Sequence, residues 1–221
     1  MRFRPLVLLS AIIVLATACL PSGAATGRLT PVRKVEVIGD SLTWGLFGTT
    51  PTVESALRSK LAASGISLTL DGGAGDTLDT PWPGRQRWDT LLQARIDRDD
   101  PDVVIIQSIL FPGANDPANY PAYRAAASRL IEIAQSRGAH VYLVAHHRPT
   151  DATELQAADI AEKLQAEAAA GHGVPTIPLN WWLDHCRSPF SNDGWHLSGE
   201  GEVCWANAAN AAVNQLRNAV G

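Results

Sequence analysis

Lys34-Val35-Glu36-Val37-Ile38-Gly39-Asp40-Ser41-Leu42 is the stretch from which the rest of the chain can be read. A short run rich in β-branched residues predicts a strand, and Gly39 and Asp40 predict a sharp turn at its end. Ser41 then sits on that turn, at the head of whatever follows. Working outward, residues 52–63 have helical spacing before a stop at Gly65, and residues 66–70 read as a second strand. The glycine-rich turn Asp71-Gly72-Gly73-Ala74-Gly75-Asp76 follows it. A helix over 85–98 carries Trp88, Leu91, Leu92 and Ile96 on one face. Residues 103–107 form the most apolar strand, suited to a sheet centre. After it come a helix over 122–137, a strand over 140–145, an alanine-rich helix over 152–170, a strand over 174–178 and a closing helix over about 199–219. Five strands separated by helices predict an α/β fold, a three-layer α/β/α sandwich around a five-stranded parallel sheet, because right-handed crossovers leave few alternatives.

The ends of the 221-residue chain read differently from its middle. Arg2 and Arg4 precede an almost wholly apolar run, Leu6 to Leu20, which fits a secretory signal and is too short to span a bilayer comfortably. Ala16-Thr17-Ala18-Cys19 resembles a lipobox, in which Cys19 becomes the lipidated first residue. The alternative is plain cleavage after Ala18 or Ala25. Residues 1–18 are therefore read as the signal, 19–32 as a flexible tether and 33–221 as one domain, exported and either membrane-anchored on the outer face or secreted. Losing Arg2 and Arg4 takes the net charge from −4 to −6, which argues against a nucleic-acid partner. A membrane enters this reading only through the lipid anchor.

Three cysteines are present, and setting Cys19 aside leaves Cys186 and Cys204. They bracket Asp193-Gly194-Trp195-His196-Leu197-Ser198. In an oxidising compartment a bridge between them closes a loop of about nineteen residues, contributing on the order of 3 kcal/mol. Two reduced, buried cysteines are the other reading.

In open α/β sheets ligands gather beyond the carboxyl ends of the strands. Ser41 follows the first strand, Gly75 the second, Asn115 the third, His146 the fourth and the Asp193–His196 segment the fifth. A serine, a histidine and an aspartate on one rim are the side chains that acyl transfer by a nucleophilic hydroxyl requires. Each has a structural reading when taken alone: a Gly-Asp-Ser turn can simply end a strand and cap a helix, Asp193 can bridge a turn, and His196 can be a satisfied histidine. Their joint placement favours chemistry.

On Gly39-Asp40-Ser41-Leu42, on Gly75 within Gly72-Gly73-Ala74-Gly75-Asp76-Thr77, and on Asp193-Gly194-Trp195-His196-Leu197-Ser198, the chain resembles the GDSL or SGNH hydrolases, serine esterases and lipases with a flavodoxin-like fold. The resemblance spans about residues 34–218. It implies Ser41 as nucleophile, His196 as the base and Asp193 as the group that orients it. It also implies an oxyanion hole of the Ser41 and Gly75 backbone N–H groups plus an asparagine side chain, with no cofactor. One block departs from the pattern. The family's Gly-x-Asn-Asp directly follows the third strand, whereas here the strand ends in Gln107-Ser108, and Gly113-Ala114-Asn115-Asp116 comes several residues later. Asn115 is the expected third donor, with Gln107, Ser108 or a two-donor hole as alternatives.

His146-His147 raises the question of a metal. Consecutive residues at a strand end point in opposite directions, and no second ligand pair supports a site, so no metal is expected and His146 is read as pocket lining. Of seven tryptophans, Trp44, Trp181, Trp182 and Trp195 fall near the rim, and Trp44 and Trp195 are taken as substrate walls; Trp88 and Trp205 fall on helical apolar faces and read as core. The expectation is an extracytoplasmic serine esterase acting on acetyl or short acyl esters, small or carried on envelope glycans, external carbohydrates or lipids. An O-acyltransferase using the same acyl-serine, and a non-catalytic envelope-binding protein, are the competing readings.

Overall fold

A computed structural model describes residues 31–44, 52–73, 77–78, 83–108, 111–145, 148–149 and 152–220. Strands β1 (Lys34–Gly39), β2 (Ser67–Gly72), β3 (Val103–Gln107), β4 (His140–Val144) and β5 (Thr176–Ile177) form one all-parallel sheet in the order β2-β1-β3-β4-β5. Its helices are α1 (Ser41–Trp44), α2 (Val53–Ala62), α3 (Trp88–Asp99), α4 (Tyr120–Gln135), α5 (Ala152–Gly171), α6 (Leu179–Asp184) and α7 (Gly199–Val220). The three-layer α/β/α architecture expected from the strand and helix pattern is the one observed, with β3 at the sheet centre.

Strand alternation sorts the core into two layers. Val35 and Val37 of β1 and Val103 and Ile105 of β3 face a cluster built with Leu57 and Leu61 of α2, Leu179 and Leu183 of α6, and Trp205 and Val213 of α7. Val104 and Ile106 of β3 face the opposite cluster, built with Trp88, Leu92 and Ile96 of α3, Tyr123 and Leu130 of α4, and Leu164 of α5. Trp88 and Trp205 are core residues, as their helical positions predicted. The chain leaves β1 toward β2 on one side and later takes up β3 on the other. Strand order therefore reverses at β1, which puts its carboxyl end at the topological switch point where such sheets bind ligands.

Three elements depart from the periodicity reading. α1 and α6 are too short to show a 3.6-residue repeat. β5 shrinks to two residues because Val174 is consumed in capping α5: Gly173, at φ +65°, donates its N–H to Ala170 O, and Val174 donates to Ala169 O at 2.9 Å. Pro175 and Pro178 then flank the pair, and a proline has no N–H for the ladder. At the opposite edge of the sheet, Arg58 of α2 donates from Nη1 to Leu68 O of β2 at 2.8 Å.

Glu36 stands in the middle of β1, 1% exposed, with both carboxyl oxygens buried and unpartnered. Burial pushes its carboxyl up from 4.5 to about 8; the Arg95 guanidinium opposes the rise, while Asp99 and Asp71 add to it. The folded state thus holds the proton more tightly than the unfolded chain. The stability this confers is complete below about pH 4.5 and is lost as pH climbs through about 8. Thermal melts of the wild type should lose Tm across that window, and Glu36→Gln should flatten the slope and melt higher at its alkaline end. Equal slopes in the two proteins would overturn this account.

Candidate active site

The turn that carries Ser41 is built by Asp40. Its buried side chain accepts the Leu42 N–H at 3.0 Å and its carbonyl accepts the Thr43 N–H at 3.1 Å, so β1 passes into the single turn of α1 without an intervening loop. Gly39 makes this possible by absence. A Cβ there would lie 2.0 Å from Thr43 Oγ1 and 3.1 Å from Gln107 O. Thr43 therefore folds back across the strand end and donates to Gln107 Oε1 at 2.5 Å, joining α1 to the end of β3, whose Gln107 pairs with Gly39 in the sheet. Ser41 heads α1, where its own N–H has no acceptor within the helix.

The partner side chains arrive on a tight hairpin between α6 and α7. Phe190 and Leu197 form an antiparallel bridge, Ser191 N–H donates to His196 O at 2.8 Å, Ser198 N–H donates to Pro189 O at 2.9 Å, and Gly194 turns the tip at φ +68°. Ser198 also fastens the hairpin to α7, accepting the Gly201 N–H and donating to Ser188 O. Asp193 gathers four hydrogen bonds: from Ser191 Oγ at 2.6 Å, from the N–H groups of Trp195 and His196 at 2.9 and 3.0 Å, and from His196 Nδ1 at 2.7 Å. Burial raises its carboxyl, but the bonds from Ser191, from the His196 side chain and from the two backbone N–H groups together outweigh that and hold it well below the usual carboxylate range. An ionised Asp193 only accepts, so the proton of neutral His196 sits on Nδ1 and leaves Nε2 bare. Nε2 lies 3.1 Å from Ser41 Oγ. The arrangement can thus draw a proton from Ser41 across two residues 155 positions apart.

The other residues singled out in the sequence are placed as follows. Cys186 and Cys204 are joined in a disulfide with Cα atoms 6.6 Å apart, tying the foot of the hairpin to α7. Asn115 is solvent-exposed in the turn after Phe111, where Asp116 accepts the Ala118 N–H and starts the 3₁₀ turn Pro117–Asn119. Gln107 and Ser108 are both fully buried, and the Ser108 carbonyl accepts from Gln165 Nε2. Trp195 is partly buried against the α2–α7 core layer, as is Trp182. Gly75, His146, Cys19 and the Trp44 side chain lie outside the described residues. Among the described residues no group of three His, Cys, Asp or Glu side chains could hold a metal. The sequence reading missed Thr43 and Ser191. Ser191 had a signal, since Ser191-Asn192-Asp193-Gly194 is a cluster of turn formers; the Thr43–Gln107 bond had none, being a contact between α1 and β3, 64 residues apart in sequence.

A model of the GDSL-like Lipase/Acylhydrolase family matches residues 37–203. No curated protein matches the chain. Among solved structures, the psychrotrophic esterase EstA of Pseudoalteromonas sp. superposes with a TM-score of 0.65 at 15% identity, covering 84% of this chain and 99% of that one. A family 3 carbohydrate esterase of Clostridium thermocellum gives 0.62 at 21% identity, over 86% and 99%. TesA gives 0.63 at 18% identity, over 83% and 99%. At these identities the likeness speaks for the fold.

The disulfide and the hairpin make a pair that can be tested without touching the three polar side chains. Changing Cys186 and Cys204 together to Ser should lower unfolding stability by about 2–4 kcal/mol and slow turnover of an aryl ester, since Asp193 and His196 then ride on an untied hairpin. Unchanged Tm and turnover, in this variant or after full reduction, would refute the link.

Proposed function

The chain belongs to the GDSL-like lipase/acylhydrolase family and is an ester-hydrolysing enzyme, and from that premise we propose that it works through a Ser41–His196–Asp193 acyl-enzyme cycle on acetyl or short acyl esters outside the cytoplasm. The observation that carries this reading is the unbroken relay from Ser41 Oγ through His196 to Asp193. His196 Nε2 takes the Ser41 proton as Oγ bonds to the ester carbonyl carbon. The oxyanion is held by the N–H groups of Ser41 and Gly75. Asn115 is exposed whereas Gln107 and Ser108 are sealed from solvent, which favours Asn115 as the third donor; Gln107, whose buried Nε2 has no hydrogen-bond partner among the described residues, is the alternative. Collapse breaks the ester C–O bond, and the leaving alcohol takes its proton from Nε2. Water then repeats the attack with His196 as base, releasing the carboxylic acid and restoring Ser41. Asp193 stays ionised throughout, keeping the ring in the Nδ1–H tautomer and stabilising it when charged.

Export is supported by the basic start and apolar run of residues 1–18 and by the disulfide, which is at home in an oxidising compartment. An exported esterase meets acylated glycans and lipids of the envelope and its surroundings, and the carbohydrate esterase among its structural relatives agrees with a sugar-borne ester as substrate. Cys19 is the lipid attachment point in this reading.

Hydrolysis of p-nitrophenyl acetate and butyrate is the direct test. Ser41→Ala and His196→Ala should abolish turnover, Asp193→Asn should lower kcat roughly 10³- to 10⁴-fold, and Asn115→Ala about 10²- to 10³-fold. Wild-type rates in Ser41→Ala would sink the mechanism. Acyl groups appearing on an added glycan instead of free acid would make the enzyme a transferase. For the anchor, metabolic labelling with a fatty acid should mark the full chain and not Cys19→Ala; an unlabelled wild type would mean simple secretion.

A further inference from the structure

The carboxyl end of β1, from which Ser41 projects, is braced on its β3 side by the Thr43–Gln107 bond and on its β2 side by the Gly73 N–H, which donates to Gly39 O at 3.0 Å. The second brace hangs from an edge strand, since β1 is the neighbour of β2 and nothing pairs beyond it. Past the last register pair, Gly39 with Gly72, neither Gly72 nor Gly73 has a side chain with which to anchor the chain. The residue just before them does. Asp71 pairs with Ile38 in the ladder and so faces α3, and two guanidiniums grip its carboxylate: Arg85 Nη2 donates to Oδ1 at 2.8 Å and Arg95 Nη2 to Oδ2 at 3.1 Å. Glu36, on the same face of β1 two residues before Ile38, does not compete for Arg95, because burial pushes its carboxyl up to about 8 and leaves it neutral near neutrality.

We infer that Asp71, held by Arg85 and Arg95, is a positioning residue for Ser41: the two ion pairs keep the end of β2 against Gly39 and thereby fix the turn that aims the Ser41 hydroxyl. The inference rests on the acyl-enzyme reading above. Magnitudes separate this role from plain stabilisation. The side chains of Asp71, Arg95 and Arg85 are 21%, 22% and 35% exposed, and ion pairs that water still reaches contribute little to folding. Placement of a reacting group is far more sensitive, since a displacement of about 1 Å can cost about 10²-fold in rate. Ser41 Oγ already stands 3.1 Å from His196 Nε2, near the long end of the range in which a base takes a proton, so drift of the turn is felt at once. Two arms matter here. Arg95 reaches in from α3 and Arg85 from the segment ahead of it, so the carboxylate is held from two directions and cannot swing about either one.

The test counts competent sites and turnover separately in the purified enzyme. Diethyl p-nitrophenyl phosphate, taken to completion, bonds its phosphorus to Ser41 Oγ, releases p-nitrophenolate and leaves the serine proton on His196, so the dye released counts the sites; p-nitrophenyl acetate then gives kcat per site. Asp71→Asn and Arg95→Gln should each keep the titrated fraction of the wild type and lower kcat per site about ten- to a hundredfold. KM should stay within about twofold, because neither residue touches substrate, and Tm should fall by no more than about 4 °C. Arg95→Lys should restore most of kcat, and the double variant should lose no more than Asp71→Asn alone, since partners that act as a unit are not additive. A kcat per site in Asp71→Asn equal to that of the wild type, or a loss accounted for by a smaller titrated fraction, would overturn the role. If Asp71→Asn fails to fold, Arg85→Gln, at an exposed position, carries the same measurement, and an unchanged kcat per site there would overturn it equally. A wild type neither titrated nor active would remove the acyl-enzyme reading and this role with it.

Discussion

At the end of β1 there is room for a hydrogen atom and nothing larger. Thr43 and the Gln107 carbonyl occupy the space a side chain at position 39 would need, so the chain turns from strand to helix within one residue. The turn is then locked from both sides, by the Asp40 carboxylate beneath the Leu42 N–H and by the Thr43 hydroxyl on the Gln107 amide. Ser41 consequently occupies the switch point at the start of a helix, with its hydroxyl 3.1 Å from His196 Nε2. A longer loop would place the same serine on the same rim without fixing where its oxygen points.

The second half of the site answers the first through the core. Leu42 follows Ser41 and Leu197 follows His196, and both leucines are buried in the apolar layer that α2, α6 and α7 share with the sheet. Packing of α2 against α7 within that layer brings together segments 155 residues apart. Fine adjustment is then local: four hydrogen bonds on Asp193 within a six-residue span, a bridge at the hairpin neck and a disulfide at its foot. Coarse placement comes from nonpolar burial, which is tolerant, and angular placement from hydrogen bonds, which are directional.

Much of this was legible in the chain because α/β units write strongly periodic signals. The apolar run of β3, the helical face of Trp88, Leu92 and Ile96, and the Gly-Asp-Ser turn each have a local physical cause. Local causes also explain the Asp193–His196 geometry, set within one hairpin. Nonlocal contacts left no trace: nothing in Thr43 or Gln107 announces their bond. At β5 the apolar run over 174–178 outweighed Gly173, a helix-cap signal, and Pro175, a break in the ladder. The third strand's sequel is the intermediate case. Its Asn-Asp pair was visible, and in the structure Asp116 initiates a 3₁₀ turn, a structural duty the motif did not announce.

The shortness of β5 bears on how the protein meets its neighbours. A parallel sheet has two borders, and each offers a row of backbone amides and carbonyls to any strand that drifts alongside. Here one border is two residues long, hemmed by prolines, and the other has a carbonyl occupied by the Arg58 guanidinium. A fold with one border cut back and a carbonyl of the other already engaged offers a neighbouring copy less on which to template, wherever the protein is concentrated.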